Sequence, residues 1–347
     1  MSSLKPITIV GGGLAGLTLG IGLRQRGIPV TVWEAGGYPR HRVCGEFING
    51  RGQEVLVRLG LWEPFLKAGA VMGQDAAFFQ GDRASPARPV NPPALCLSRF
   101  TMDALLAGQL RACGGKLGEH MRWPGGCAHE GVVRASGRRT QPVANGWRWF
   151  GLKAHARGVD LAAALEMHVL DDGYVGLCRL PGEKVNVCGL FRRRSRAGSP
   201  SAPWRELLSG PPGSALRERL AGAEFDVNSF CSVAGLTLRP GRASMHAECC
   251  IGDALTMIPP VTGNGMSMAL EAAGIALEPV SAWSRGELDW SRARQALAHA
   301  CDRAFASRLA WARRLQWLML APFARGRIGT LALRSDYFWR FMFARTR

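Results

Sequence analysis

The ten cysteines of the sequence form no Cys-x-x-Cys pair, although the chain is 347 residues long. Their scattered positions argue against the ligand spacing of a zinc site and against a disulfide framework. Cys249 and Cys250 lie inside an apolar run that is typical of a buried strand. We therefore predict reduced, buried thiols, no metal site and a cytoplasmic protein.

Long apolar runs are missing as well. No run reaches the about 18 residues that indicate a transmembrane helix, and no signal peptide precedes the first predicted strand, so we expect no membrane span. Internal repeats and low-complexity tracts are not found either. A chain of this length can bury a large core and can hold one large domain or two intertwined ones.

Acidic residues are few: 26 Asp and Glu stand against 44 Lys and Arg, which gives a formal net charge of +18. This balance favours an acidic carrier protein or an anionic membrane surface as a partner. A generally solvated, arginine-rich surface explains the same balance equally well. Nucleic acid is not an expected partner, because the charge is spread along the chain and no recognition module is evident.

The clearest feature that is present is a glycine pattern near the beginning of the chain. A predicted strand from Ile7 to Val10 leads into Gly11-x-Gly13-x-x-Gly16. Gly11 permits a tight turn, Gly13 lets the backbone approach a pyrophosphate, and Gly16 lets the following helix pack closely on the strand.

The helix after this turn supplies the next part of a nucleotide site. Its first residues, Leu14 and Ala15, bring unpaired backbone N–H groups to the helix N-terminus, where the helix dipole favours phosphate. A second strand then ends in Glu34, about 20 residues on, whose carboxylate accepts hydrogen bonds from a ribose. Strand, glycines, helix, strand and acid together predict a dinucleotide site.

A second glycine turn occurs late in the chain, between a predicted strand at 249–251 and a long helix rich in Met, Ala and Leu. An acid at the end of such a strand can accept hydrogen bonds from polyol hydroxyls, and the helix N-terminus presents its amides to an anionic or electron-rich group. The candidate ligand-binding residues of this second turn are Asp253, Pro260, Gly263, Gly265 and Met266.

Two arginines between these turns are further candidates for cofactor binding. Arg99 begins a predicted helix that runs through Arg111 and ends at two glycines. A guanidinium in this place can hold phosphate as a bidentate donor, and a surface arginine is the alternative. Arg42 lies in a basic, glycine-rich loop, 35–50, that we place beside the nucleotide.

Two other segments are typical of antiparallel strands. Residues 63–97 carry several prolines and short alternating stretches, which suit an inserted substrate layer. Residues 147–195 alternate apolar and polar side chains, with turn signals near 171–173 and 181–183. These segments predict a sheet that is separate from the nucleotide-binding one.

The early glycine turn with its acid, the Arg99 helix and the late glycine turn together resemble a known family. The family is the superfamily of FAD-dependent oxidoreductases that contains p-hydroxybenzoate hydroxylase and geranylgeranyl reductase and is related to flavin monooxygenases and halogenases. The resemblance covers roughly residues 5–60, 95–140 and 230–275.

The resemblance implies that FAD is bound in an extended form. Glu34 would then meet the adenosine ribose, Arg99 would lie near the pyrophosphate, and Asp253 would bind the ribityl chain or the pyrophosphate. The amides of residues 263–266 would face the isoalloxazine. Because no second Gly-x-Gly-x-x-Gly occurs, electrons would come from NAD(P)H that binds transiently or from a separate reductase.

Three local differences from the family's patterns bear on the reaction. The hydroxylases usually carry Ala-Asp-Gly-x-x-Ser before the middle sheet, but the matching stretch at 135–140 has no acid. The halogenases carry Trp-x-Trp-x-Ile-Pro, and the Trp147-x-Trp149 of this chain lacks the Ile-Pro, which argues against halogenation. The stretch at 44–46, Cys-Gly-Glu, resembles the reductase and halogenase branches more than it resembles the simple phenol hydroxylases.

Acid–base candidates are few. His155 and Lys153 follow a strand-like run in the middle sheet, and Glu46 lies in the early loop. A structural histidine and a surface lysine are the alternative interpretations. His41 and Cys44 of the same loop are weaker candidates, and we name His155, Glu46 and Lys153 as the catalytic candidates.

The segment 301–347 holds ten arginines and two aspartates, interleaved with Trp and Phe. A basic amphipathic helix of this kind can lie on an anionic membrane surface and help a lipid-like substrate to enter. We prefer a helical cap on the FAD-binding domain, with solvated arginines.

The predicted fold is therefore α/β: a Rossmann-like FAD-binding domain with an inserted antiparallel β-sheet substrate domain and a C-terminal helical segment. The predicted segments are 1–62, 95–140 and 230–280 for the FAD-binding domain, 63–94 and 141–229 for the substrate sheet, and 281–347 for the helical segment.

The resemblance implies one favoured function and leaves two alternatives. The favoured one is an FAD-dependent monooxygenase of secondary metabolism that hydroxylates a small apolar aromatic or polyketide-like substrate through a flavin C4a-hydroperoxide. The second is an FAD-dependent reductase or dehydrogenase of isoprenoid or lipid double bonds. The third is a non-catalytic flavin-binding partner of an acidic carrier protein. We favour the first because that branch of the family is populous, which is an argument from analogy. The protein would be cytoplasmic or peripheral at a membrane.

Overall fold

The structure is a computed structural model that describes residues 3–138, 146–194, 203–236, 238, 241–321 and 334–346. The strands in these ranges are β1 (Ile7–Val10), β2 (Val30–Trp33), β3 (Phe47–Ile48), β4 (Val71–Gln80), β5 (Arg83–Ala84), β6 (Arg88–Cys96), β7 (Lys116–Gly118), β8 (Val132–Arg134), β9 (Trp147–Arg157), β10 (Leu165–Leu170), β11 (Gly173–Arg179), β12 (Val185–Arg194), β13 (Glu224–Ala234) and β14 (Cys249–Cys250). The helices are α1 (Leu14–Gln25), α2 (Gly50–Arg58), α3 (Trp62–Lys67), α4 (Arg99–Ala112), α5 (Trp204–Ser209), α6 (Ala215–Arg219), α7 (Gly265–Ser284), α8 (Trp290–Leu320) and α9 (Asp336–Thr346).

The first layer is a parallel sheet of five strands in the order β14-β8-β1-β2-β7, which we call sheet A. Parallel neighbours need a crossover, and α1 provides it between β1 and β2. The helix is buried along nearly its whole length against sheet A and α7. This is the Rossmann-like unit that the early glycine pattern predicts, and the predicted α/β fold is confirmed.

The second layer, sheet B, runs in the order β13-β9-β12-β11-β10-β4-β6-β3, with β5 beside β4. Its pairs are antiparallel except for β10 and β4, which are parallel. Sheet B therefore matches the predicted substrate sheet, but it extends further along the chain. It includes Phe47–Ile48, because this short strand pairs with β6. It continues to Ala234, because β13 pairs with the long strand β9 along most of its length.

The two faces of sheet B differ in what covers them. One face, the outer face, packs Leu177 and Val187 against the short helices α5 and α6. The opposite face, the inner face, carries a row of residues in register across four strands, namely Lys153, Cys188, Gly176 and Met167.

The loop 41–47 of the nucleotide-binding half lies against this inner face. The side-chain amide of Asn186 donates to the carbonyl oxygen of Cys44 at 2.9 Å. A Cβ at Gly151 would lie 2.8 Å from a methyl carbon of Val43, so the loop approaches the strand at close range. The inner face of sheet B is therefore where the two halves of the chain meet.

The C-terminal helices contact both halves. Helix α8 packs on α7 and, at its far end, places Leu315 and Met319 among the apolar side chains of the inner face. Helix α9 packs Trp339 on Phe78 of β4, with ring centroids 5.3 Å apart. The predicted cap on the FAD-binding domain is thus also a cap on sheet B.

Three absences predicted from the sequence can be compared with the described residues. No helix in them combines the length and the apolar composition that a bilayer crossing needs. None of the ten cysteines forms a disulfide bond, and five of them are buried. No group of His, Cys, Asp and Glu within the described ranges is arranged to hold a metal ion.

Candidate functional site

The early glycine turn is shaped by two close contacts and one open position. Gly11 has a φ of +112°, and a Cβ there would overlap the carbonyl oxygen of Ala135. A Cβ at Gly16 would overlap the carbonyl oxygen of Gly11. At Gly13, in contrast, a Cβ would meet no described atom within 4 Å. Gly13 therefore borders open space, as a pyrophosphate-binding turn requires.

The N-terminus of α1 opens into the same space. Its N-cap is Gly13, which has no side chain to satisfy the first amides, and its first turn contains no acid. The amides at Leu14 and Ala15 and the positive end of the helix dipole are thus available to an anion. This arrangement fits the phosphates of a dinucleotide.

Glu34 braces this turn from the end of β2. One carboxylate oxygen accepts from the amide of Gly12 at 2.8 Å, and the other accepts from the amide of Gly36 at 2.8 Å and from Arg40 at 2.6 Å. Burial alone would raise the pKa of Glu34, but these hydrogen bonds and the Arg40 charge hold it below its ordinary value. The predicted ribose contact stays a prediction.

The structure gives Arg99 a partner within the chain. Its Nε and Nη2 donate to the two oxygens of Asp103, each at 2.9 Å, in the i,i+4 spacing of α4. Arg42 donates from Nε to the same carboxylate at 3.0 Å. The bidentate fork that we predicted to hold phosphate is therefore used by Asp103, and a phosphate contact through the remaining Nη1 stays a prediction.

The late glycine turn lies against the early one, although the two are far apart in the sequence. Gly252 has a φ of +61°, and a Cβ there would lie 3.0 Å from the Cβ of Ala15. Asp253, the next residue, is exposed, yet the surrounding protein raises its pKa by desolvation, and Arg138 and Arg99 offset part of this shift. Asp253 lines one cleft together with Gly252 and Gly265.

The start of α7 completes the cleft. Gly263 has a φ of +64° and ends the turn that begins at Pro260, and the ring of Phe47 packs on it so closely that a Cβ would overlap the ring. Met266 is buried in the first turn of α7, which contains no acid. Gly265 is the first residue of this helix.

These residues fit FAD. The cleft is bordered by the N-termini of α1 and α7, neither of which has an acid in its first turn. It also has the open position at Gly13, the accessible carboxylate of Asp253, and Glu34, which is bonded to the amide of Gly12. The first helix and the open glycine would hold the pyrophosphate, and the start of α7 would lie beside the isoalloxazine. FAD held there would supply electron transfer and the reaction of reduced flavin with dioxygen.

The three catalytic candidates lie together, buried at the junction of this cleft with sheet B. Nε2 of His155 lies 2.7 Å from one carboxylate oxygen of Glu46, and Nζ of Lys153 lies 3.4 Å from the other. Lys153 also lies 3.1 Å from Nδ1 of His41. We call these four residues the Glu46 cluster. Lys153 is completely buried, so its interpretation as a surface residue is wrong.

The chain joins the Glu46 cluster directly to the cofactor cleft. Glu46 has a φ of +62°, and its carboxylate accepts from the backbone N–H of Arg99 at 2.9 Å. The next residue, Phe47, is the one that packs on Gly263. A non-glycine residue in a left-handed conformation is strained, and such positions concentrate at functional sites.

The charges in the Glu46 cluster set the protonation of its members. Burial alone would raise the pKa of Glu46, but the hydrogen bond from His155 and the charge of Lys153 keep it below its ordinary value. Burial, then the charges of Lys153 and His155, lower the pKa of His41 to about 4. Near neutral pH the cluster thus holds an ionised carboxylate and a neutral His41.

His41 makes the stability of the fold depend on pH. Its pKa falls from 6.5 when unfolded to about 4 when folded, so below pH 6.5 the unfolded chain binds a proton that the folded chain does not. We expect the free energy of unfolding to decrease as the pH falls from 6.5 towards 4. Urea unfolding across this range should show a shallower decrease for His41→Gln than for the unchanged protein.

The matched control for this measurement is His299→Gln, because His299 is an exposed residue of α8. It should retain the pH dependence of the unchanged protein. Equal pH dependence in His41→Gln and His299→Gln would contradict the assignment of a neutral, partly enclosed His41.

Some residues of the site were missed by the sequence analysis. Asp103 was not among the candidates, although its i,i+4 spacing from Arg99 predicts the ion pair that forms. Tyr38, whose hydroxyl donates to the carbonyl of Gly12, had no local signal. Neither did Ser229, whose hydroxyl accepts from the backbone N–H of His155 at 2.7 Å.

Comparisons with known proteins agree with this geometry. Residues 5–140 match the family described as FAD binding domain. No curated protein matches the chain. Among solved structures, the flavin-dependent brominase Bmp2 is 17% identical with a TM-score of 0.75, covering 99% of this chain and 93% of its own.

Two further solved structures with this fold are described by other activities. The p-nitrophenol 4-monooxygenase PnpA from Pseudomonas putida DLL-E4 is 15% identical with a TM-score of 0.74, over 99% of this chain and 98% of that one. A flavoprotein/dehydrogenase from Cytophaga hutchinsonii is 14% identical with a TM-score of 0.70, over 96% and 92%. The matches share the fold, and the fold does not choose between halogenation, hydroxylation and dehydrogenation. Residues 5–140 thus match an FAD binding domain, and the chain shares its fold with these solved structures.

Proposed function

From an FAD binding domain set in the fold of flavin-dependent monooxygenases and halogenases, we propose that the protein hydroxylates an apolar aromatic or polyketide-like substrate with dioxygen. The observation that carries this proposal is the position of the Glu46 cluster. It puts a buried lysine, a histidine and a carboxylate on the inner face of sheet B, beside the loop that packs on the start of α7.

The inner face beyond the Glu46 cluster offers an apolar environment. Its buried side chains are Tyr174, Leu190, Leu236 and Val261, and the partly buried ones around them are Trp149, Met167, Val233, Leu238, Met257, Leu315 and Met319. A wall of this composition excludes water from the flavin side and accepts an aromatic ring.

The Glu46 cluster can move a proton between this wall and the surface. His155 and Glu46 are in hydrogen-bond contact at 2.7 Å, and Lys153 lies 3.4 Å from Glu46. Lys153 in turn lies 3.1 Å from His41, whose ring stacks on the exposed Phe100 at a centroid distance of 4.6 Å. Ionising a substrate hydroxyl activates an aromatic ring towards hydroxylation, and Lys153 stabilises the resulting negative charge while the proton leaves through the cluster.

Lys153→Met tests this role. We expect the variant to bind FAD as tightly as the unchanged protein, because Lys153 does not lie at either glycine turn. Turnover should fall by on the order of 100-fold, which is typical of the loss of a general acid–base group. Unchanged turnover with normal FAD binding would remove the Glu46 cluster from the reaction.

The reaction itself is tested with FAD-loaded protein, a chemical or nicotinamide reductant, and dioxygen labelled with oxygen-18. Offered 2-naphthol or 4-nitrophenol, the protein should form a product that carries one labelled oxygen atom. A brominated or chlorinated product in the presence of halide would instead identify a halogenase, whose solved structures share this fold equally. If neither an oxygen-labelled nor a halogenated product forms, the proposal is contradicted.

A reductase of isoprenoid or lipid double bonds is the second candidate. Cys44 favours it, because burial raises the pKa of this thiol and keeps it protonated beside the Glu46 cluster, where it can donate a proton to carbon. The basic C-terminal helices suit the capture of such a substrate from an anionic membrane surface. Saturation of geranylgeraniol by the anaerobically reduced protein, with no label taken from dioxygen, would establish this candidate. If neither kind of substrate turns over, the result favours the third alternative, a non-catalytic flavin-binding partner of an acidic carrier protein.

A further inference from the structure

Tyr174 on β11 carries a hydroxyl group for which the described residues offer no partner. The residue is 6% exposed, and its oxygen is buried without a hydrogen bond. Leaving a buried hydroxyl unpaired destabilises the folded state. A phenylalanine would fill the same place without this loss of stability, so the hydroxyl can serve a partner beyond the described residues.

The surroundings of Tyr174 are apolar and adaptable. Its ring lies on the inner face of sheet B with Leu190 of the neighbouring strand, and three partly buried methionines are in the same cluster, Met167, Met257 and Met319. Methionine side chains repack easily around a ligand. Tyr174 is therefore part of a cluster whose methionines can adjust to a ring.

A gap lies two residues along the same strand. A Cβ at Gly176 would meet only two main-chain oxygens, those of Cys188 at 3.7 Å and Glu166 at 3.8 Å, and no described side chain within 4 Å. Gly176 is partly exposed, as are its row neighbours Cys188 and Met167. Side chains at alternate positions of a strand lie on the same face, so this gap and Tyr174 share the inner face.

Lys153 lies in the same row as Gly176, two strands away through Cys188. The gap thus has the unpaired hydroxyl two residues along its own strand and the Glu46 cluster two strands across the sheet. A flat ring over Gly176 can therefore approach both polar groups.

We propose that the inner face binds an aromatic or enolic ring over Gly176, with an oxygen of the ligand accepting a hydrogen bond from the hydroxyl of Tyr174. This rests on the proposed function and specifies its substrate as one that carries a hydroxyl or carbonyl oxygen on the ring. Tyr174 is the residue that selects oxygenated rings over plain hydrocarbons.

Tyr174→Phe separates this role from packing. Binding of 2-naphthol and of naphthalene to the oxidised, FAD-loaded protein is measured by equilibrium dialysis, so no turnover is needed. We expect Tyr174→Phe to bind 2-naphthol about tenfold more weakly, the loss of one hydrogen bond, and to bind naphthalene as before. Its thermal unfolding temperature should be unchanged or higher, because no protein hydrogen bond is lost.

Gly176→Ala is the companion variant, since the added methyl group meets only ordinary contacts and the strand conformation suits alanine. It should weaken the binding of both probes and leave the fold intact. Equal binding of 2-naphthol by Tyr174→Phe and the unchanged protein, equal losses of both probes in Tyr174→Phe, or no 2-naphthol binding by the unchanged protein would each overturn the proposal. A protein that shows the expected binding but incorporates no oxygen would contradict the proposed function alone.

Discussion

Gly13→Val is expected to fold normally and to purify without FAD. The backbone at Gly13, with φ −87° and ψ −173°, suits any L-residue, and a Cβ there meets no described atom within 4 Å. The valine methyl groups would stand in the space that the pyrophosphate needs. We expect FAD affinity to fall at least about 100-fold, or about 2.7 kcal/mol, which titration of the apoprotein with FAD would measure.

The matched control is Gly108→Val on α4, another position at which a Cβ meets no described atom. Gly108 is exposed and lies outside both glycine turns. It should leave the visible absorbance of bound flavin unchanged. A yellow Gly13→Val protein with normal affinity would show that the cofactor lies elsewhere.

Glu46→Ala is expected to destabilise the fold strongly. Lys153 is completely buried, and in the described structure Glu46 is the carboxylate that lies 3.4 Å from its ammonium group. Removing one partner of a buried ion pair leaves an uncompensated charge and typically costs about 3–5 kcal/mol. Urea unfolding at neutral pH measures this loss.

A double variant distinguishes the charge from simple packing. Lys153→Met removes the charge that Glu46 compensates, so Glu46→Ala combined with Lys153→Met should be more stable than Glu46→Ala alone. If the losses of the two single variants instead add up in the double variant, the ion pair is not what holds these residues in place.

The local parts of the cofactor site could be predicted from the sequence. The turn between β1 and α1 depends on glycines whose spacing and conformation are set by neighbours within one supersecondary unit. The same holds for the turn that delivers Asp253. The short-range part of the constraint is the positive φ of Gly11, Gly252 and Gly263, whereas their contacts with Ala135, Ala15 and Phe47 are set by the tertiary fold.

The non-local parts could not be predicted in the same way. The contact between Glu46 and His155 depends on which face of β9 turns towards the early loop, and a shift of one residue in register would reverse that face. The parallel pairing of β10 with β4 and the continuation of β13 to Ala234 are likewise decided by tertiary pairing. For the same reason Lys153, polar in sequence, could be read as a surface residue.

The unpartnered hydroxyl of Tyr174 marks the limit of sequence reasoning most clearly. A tyrosine in an alternating strand pattern is ordinary, and its cost is visible only when every neighbour is in place. The ion pair of Arg99 is the opposite case. Asp103 lies four residues further along the same helix, so the sequence alone would have been sufficient to predict the pair.

The cofactor cleft needs two glycine turns, and the ribosome makes the early one before sheet B and the late one after it. A nascent chain on the ribosome therefore has no complete cleft until the beginning of α7 has emerged. Flavin loading is then a late step of biogenesis, and a chain interrupted before α7 leaves the ribosome as an apoprotein.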